Sequence, residues 1–150
     1  MAYVKCNLKR TIYFNEINSY TVAVVKIKET DIPELVDKQH IHIVGTLPEL
    51  NYRTTYKFNG EYTKHNKYGD QLEVSTYEVE IPTKEEELVG FLSSDMFPIG
   101  EVTAKKIVDK FKDKTLDIIL NDKDKLKEIP RLSEEKINKI HDILTNYQGS

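Results

Sequence analysis

The sequence predicts an α+β chain: a small five-stranded β-barrel over residues 1–82, then an all-α half over residues 83–150. Three observations predict it. Apolar and polar residues alternate through the first half, the period of half-buried strands. At Pro82-Thr83 the apolar spacing changes to three and four, the period of a helix. The helical half then repeats one plan: a short helix, a tight turn and a second helix.

Each strand has its own signal. Residues 3–14 are rich in β-branched and aromatic side chains, and Asn15-Glu-Ile-Asn-Ser19 is a polar turn. Residues 20–28 form the clearest strand, with a nearly continuous apolar centre, and Asp31-Ile-Pro-Glu-Leu35 breaks it. Residues 41–47 are a third strand. Residues 56–62 are a fourth, in which Gly60 marks a bulge or bend. Residues 64–70 read as a hairpin turn, and residues 71–81 as a fifth, alternating strand. Five short strands with turn-rich joins fit an OB-like barrel best; an SH3-like barrel and an open meander share the pattern.

In the helical half, Thr83 precedes Lys-Glu-Glu-Glu87, the signature of a helix cap with acids in the first turn. Leu88, Phe91 and Leu92 recur at helical spacing, as do Val102, Lys106 and Ile107, then Leu116, Ile119 and Leu120, then Ile137, Ile140, Ile143 and Leu144. Helices this short are unstable alone and must pack on one another.

The repeated turns aim the free N–H groups of each second helix outward, where a phosphate is a suitable partner. In the first, Gly100 permits positive φ, Ile99 plugs the core, Val102 and Thr103 supply amides, and Lys105 and Lys106 add charge. Against this stand Pro98, which has no N–H, and the nearby Glu101; an ordinary helical corner fits the same residues. In the second, Ser133 is the N-cap, Glu134 and Glu135 would repel a phosphate, and Arg131, with Lys136 in the following helix, offers positive charge. In the barrel, Lys64, Lys67 and Tyr68 join cation to aromatic ring in the loop between the fourth and fifth strands, which suits nucleic acid or a plain hairpin.

Composition bounds the function. The net charge of −3 gives no global attraction to nucleic acid or anionic lipid, so any DNA contact must be local. The single Cys6 rules out an internal disulfide and reads as a small strand residue. His40 and His42 share a strand face but lack a third ligand at a supporting spacing, so no metal is expected. There is no Gly-Lys-Ser/Thr loop, nucleophile motif or catalytic carboxylate pair, so no enzyme and no cofactor is expected in this chain. Without a signal peptide or an apolar stretch of about 20 residues, a cytoplasmic protein without membrane contact is expected. Gly149-Ser150 has the look of an expression-vector remnant.

Several runs together resemble the N-terminal region of the RecD-like ATP-dependent DNA helicases of bacteria. In the barrel they are residues 14–22, Val44-Gly-Thr-Leu-Pro48 and His65-Asn-Lys-Tyr-Gly-Asp-Gln-Leu72. In the helical half they are Phe91-Leu-Ser-Ser94 and residues 99–111, beginning Ile-Gly-Glu-Val-Thr-Ala-Lys-Lys. The resemblance covers nearly the whole chain. It implies an OB-like domain followed by a tandem helix-hairpin-helix domain. It also implies a parent protein that unwinds duplex DNA 5′ to 3′ in repair or recombination, with ATP and Mg held by a motor outside these residues. Implied partners are single-stranded or junction DNA bound without sequence preference, the motor domains, and other repair proteins. Two departures stand out: Pro98-Ile99-Gly100 replaces Gly-apolar-Gly, and Arg131 and Ser133 stand where the family commonly has glycines. Two further readings stay open. One is a docking module with little DNA binding, which the negative charge favours. The other is a nucleic-acid module of another repair or translation factor.

Overall fold

The computed structural model describes residues 1–67 and 69–148; Tyr68, Gly149 and Ser150, and the expectations attached to them, lie outside the described residues. The chain divides into two units, Met1–Glu80 and Ile81–Ser150.

The first unit is a closed barrel of β1 (Ala2–Phe14), β2 (Tyr20–Thr30), β3 (His40–Thr46), β4 (Thr55–His65) and β5 (Gly69–Val79), in the order β1-β2-β3-β5-β4. β1 pairs antiparallel with both β2 and β4, which closes the ring, and β3 meets β5 in a short parallel ladder from His42–Gln71 to Val44–Glu73. An open meander has neither contact, so the OB-like reading stands. Alternation places Val4, Cys6 and Leu8, then Ala23 and Val25, then Ile41 and Ile43, inside the barrel. Tyr56 and Phe58 stack there with ring centroids 5.3 Å apart. The Pro33–Leu35 break is a 3-10 turn that buries Ile32 and Leu35.

Gly60 behaves as its place in the sequence requires. The β4–β5 register shifts between Asn59 and Gly60, and a Cβ at Gly60 would lie 1.9 Å from the Glu73 carbonyl oxygen. The following hairpin is tighter than expected. β4 runs on to His65 and β5 begins at Gly69, so Lys64 is a strand residue opposite Asp70.

The second unit holds α1 (Leu88–Leu92), α2 (Glu101–Phe111), α3 (Thr115–Asn121) and α4 (Glu134–Gln148), with 3-10 turns before α1, between α2 and α3 and between α3 and α4. Thr83 does not cap the first helix. The chain enters through a 3-10 turn, Glu85–Glu87, that runs directly into α1 without any side-chain cap. The core gathers Phe91, Leu92, Phe97, Ile107, Ile119, Leu126, Ile137, Ile140 and Leu144. Phe91 meets Phe97 edge-on at 5.3 Å and Tyr147 at 6.3 Å. His141 Nδ1 lies 2.8 Å from the Ile119 carbonyl, tying α4 to α3. Val102 leaves the expected apolar face and is 70% exposed, because the buried stripe of α2 is Ala104, Ile107 and Val108.

Candidate nucleic-acid interface

The two turns are built on one plan. Ile99 and Leu132 are the buried plugs, each 8% exposed. Gly100 and Ser133 follow as N-caps, and their carbonyls accept the first helical bonds from Ala104 and Ile137, both at 3.0 Å. Ala104 and Ile137, then Ile107 and Ile140, occupy matching buried positions on α2 and α4.

The first turn differs from expectation at its glycine. Gly100 has φ −93° and ψ −174°, an extended N-cap open to any residue, so positive φ is not why it is there. What glycine leaves there is space: no atom lies within 4 Å of where a Cβ would sit. Gly100 has no side chain, so it makes no cap bond to the Val102 or Thr103 amide of α2. Thr103 is half-buried, while Val102, Lys105 and Lys106 are exposed. Lys105 spends part of its charge on Asp109 at 3.6 Å.

At the second turn the unusual backbone belongs to Arg131, with φ 65°. It occupies the position where the resemblance has glycine, and the residue is exposed. Ser133 is the N-cap its type predicts: its Oγ accepts the Lys136 N–H at 3.2 Å. One donor of α4 is therefore already used, and anion contact there rests on the Arg131 and Lys136 side chains.

In the β4–β5 hairpin, Lys64 and Lys67 are exposed, and the Lys67 N–H donates to His65 Nδ1 at 3.1 Å. Asp70 faces Lys64 across the ladder, is hydrogen-bonded by the Tyr62 hydroxyl and lies 3.6 Å from Lys38 Nζ. Partial burial and that bond push the Tyr62 phenol up to about 12.

A further group has no local signature in the sequence. Lys9, Arg10, Lys38, His40 and His42 line one groove with Val24, Ile41, Gly69 and Asp70. The register carries Arg10 to Val24 and Val24 to His42 across β1, β2 and β3. A shift between Leu8 and Arg10 leaves Lys9 as the extra residue of a bulge beside them. Among the described residues, no three His, Cys, Asp or Glu side chains gather as metal ligands. Nor is any helix long and apolar enough to cross a membrane.

A closed barrel of this strand order, with helices following it, defines an OB-fold module. Residues 1–82 match the family described as the OB-fold domain of ATP-dependent DNA helicase YrrC. That match covers more than half of the sequence, and the chain belongs to this family. No solved structure gives a significant match.

Proposed function

We propose that this chain is the non-catalytic, N-terminal DNA-binding region of a RecD-like 5′-to-3′ DNA helicase acting in repair or recombination. Its division is an OB-like barrel, residues 1–82, and a tandem helix-hairpin-helix domain, residues 83–150. The observation that carries the DNA contact is the open N-terminus of α2. Gly100 leaves space in front of the helix and gives no side-chain cap to the Val102 and Thr103 amides, and Lys105 and Lys106 stand one turn in. Arg131, Ser133 and Lys136 form the second, weaker grip, and Lys64 and Lys67 a third at the barrel's edge. Such contacts hold backbone without reading bases. ATP and Mg act at the motor of the parent protein.

The test is a salt titration with labelled single-stranded and duplex DNA. Log affinity should fall with log salt, and Lys105→Ala/Lys106→Ala should weaken binding and flatten the slope by about one phosphate each. A second reading, docking onto the motor or another protein, is favoured by the exposed Val102 and the net charge of −3. No measurable DNA binding at low salt would select it.

A further inference from the structure

We propose that the turn end of the β1–β2 ribbon, where Ile12, Tyr13, Ile17 and Tyr20 stand in water, is a contact surface for a second copy of this chain. It belongs to the barrel unit and does not depend on the DNA-binding reading.

Among the described residues eight large apolar side chains are exposed, and four of them fall within residues 12–20. Ile17 is 96% exposed, Tyr13 50%, Ile12 47% and Tyr20 41%. The Tyr13 and Tyr20 rings lie 6.5 Å apart. Together the four side chains expose on the order of 400 Å², a patch of the size that is often functional on soluble proteins. The turn that carries Ile17 is fixed. Asn15 Oδ1 accepts the Ile17 N–H at 2.8 Å and the Asn18 N–H at 3.3 Å, and Asn18 Oδ1 accepts the Tyr20 N–H at 2.9 Å. The Asn15 N–H donates to the Tyr20 carbonyl and the Ser19 N–H to the Asn15 carbonyl. Asn15 Nδ2 also donates to the Tyr13 hydroxyl at 3.2 Å. The polar residues of the turn are engaged in its shape, so Ile17 is held outward with little backbone freedom left to lose on contact.

Charge decides the partner. Residues 11–22 carry one charged side chain, Glu16. An acid at the tip repels phosphate and anionic lipid alike, which favours a protein surface. The ribbon itself supplies a matching one. Lys9 and Arg10 are exposed towards its base and Glu16 at its tip, with the tyrosines between. Arg10 and Tyr13 pair with Val24 and Val22, which alternate with the inward Thr21, Ala23 and Val25 of β2, so both project from the outer side. Two ribbons laid antiparallel set Glu16 of one copy against Lys9 and Arg10 of the other, and bring the apolar patches together between them. The same contacts recur on the other side of the two-fold axis. Parallel ribbons would oppose like charges at both ends. With its polar rim the pair removes roughly 1,000 Å² from water, the lower limit for a specific interface, so the dimer is weak and half-formed on the order of 100 µM.

The experiment is sedimentation velocity on the full chain at low salt, at concentrations either side of about 100 µM, where the coefficient should rise towards that of a dimer. Ile17→Asp should weaken association about tenfold. Glu16→Lys and Lys9→Glu/Arg10→Glu should each weaken it about tenfold, because each opposes like charges. Mixed together, those two charge variants should pair with each other as tightly as the wild type pairs with itself. All these changes fall on exposed side chains, and circular dichroism checks each fold. A wild type that stays monomeric throughout, a dimer that Ile17→Asp leaves intact, or charge variants that fail to complement one another would overturn the proposal. So would a labelled oligothymidylate that binds a monomeric wild type and is lost on Ile17→Asp, since the patch would then be a nucleic-acid contact. A monomer whose DNA binding depends on Lys105 and Lys106 removes the dimer and leaves the proposed function standing.

Discussion

Arg131 holds a backbone conformation, φ 65°, that ordinary side chains avoid at a cost of about 1–2 kcal/mol. Glycine would sit there without strain, although it would lose more conformational freedom on folding. The balance predicts that Arg131→Gly stabilises the protein by about 0.5–1 kcal/mol, raising Tm by roughly 2–4 °C. If Arg131 is kept for its guanidinium, the same change should lower DNA affinity at low salt, so stability and binding would move in opposite directions. Thermal melts and a binding curve on one preparation decide it. A variant less stable than the wild type would mean that the Arg131 side chain itself holds the turn, and not an outside anion. Gly100 teaches the complementary lesson. Glycine at a turn suggests a demand for positive φ, but its backbone is extended, and the absence of a side chain leaves space at the helix end.

At the level of elements, the close approach of β4 to β5 at Gly60 sets the barrel's bend. A Cβ there would meet backbone on the neighbouring strand, 1.9 Å from the Glu73 oxygen and 2.8 Å from its carbonyl carbon. Backbone held in a ladder cannot rotate aside as a flexible side chain can. Gly60→Ala should therefore cost about 3 kcal/mol or more, seen as a lower urea midpoint; a midpoint within error of the wild type would show that the strands part freely at the bulge. This position was legible in the sequence because a glycine weakens the interior of a strand unless a bulge or a close approach of backbone requires it. The strands themselves were legible because one face is buried, so the pattern must alternate. Their ends were not, since Lys64 and His65, both exposed, extend β4 through pairs that carry no apolar signal. The start of α1 was also missed, because a 3-10 turn of three glutamates stands in place of a Thr83 cap. The cationic groove could not be read along the chain at all. Lys9 and Arg10 meet His40 and His42 only through β2, and a bulge brings Lys9 to the groove, so no local pattern records the encounter.

Across the whole molecule, the described residues include a thiol and two phenols that strong alkali would disturb, and these lie in one unit. Burial pushes the Cys6 thiol far up, and the Tyr62 phenol is held at about 12. Tyr3 is raised too, first by its hydrogen bond to Glu29. All three belong to the barrel. The sign follows from linkage. An acid whose folded pKa is raised keeps its proton in the native state while the unfolded chain releases it, so stability falls as pH rises past the unfolded value. For Cys6 that decline begins near pH 8.5 and runs at about 1.4 kcal/mol per pH unit. The tyrosines add to it only above about pH 10. Urea unfolding at pH 7, 8.5 and 9.5 should show the midpoint dropping over the last interval. Cys6→Ala removes the titrating thiol at the cost of a small cavity, so it should be less stable at pH 7 by about 1 kcal/mol and lose much less between pH 8.5 and 9.5. Parallel declines for wild type and variant would show that the alkaline weakness lies elsewhere. A flatter line for the variant would place it inside the barrel, at a thiol that has no route to water until the strands separate.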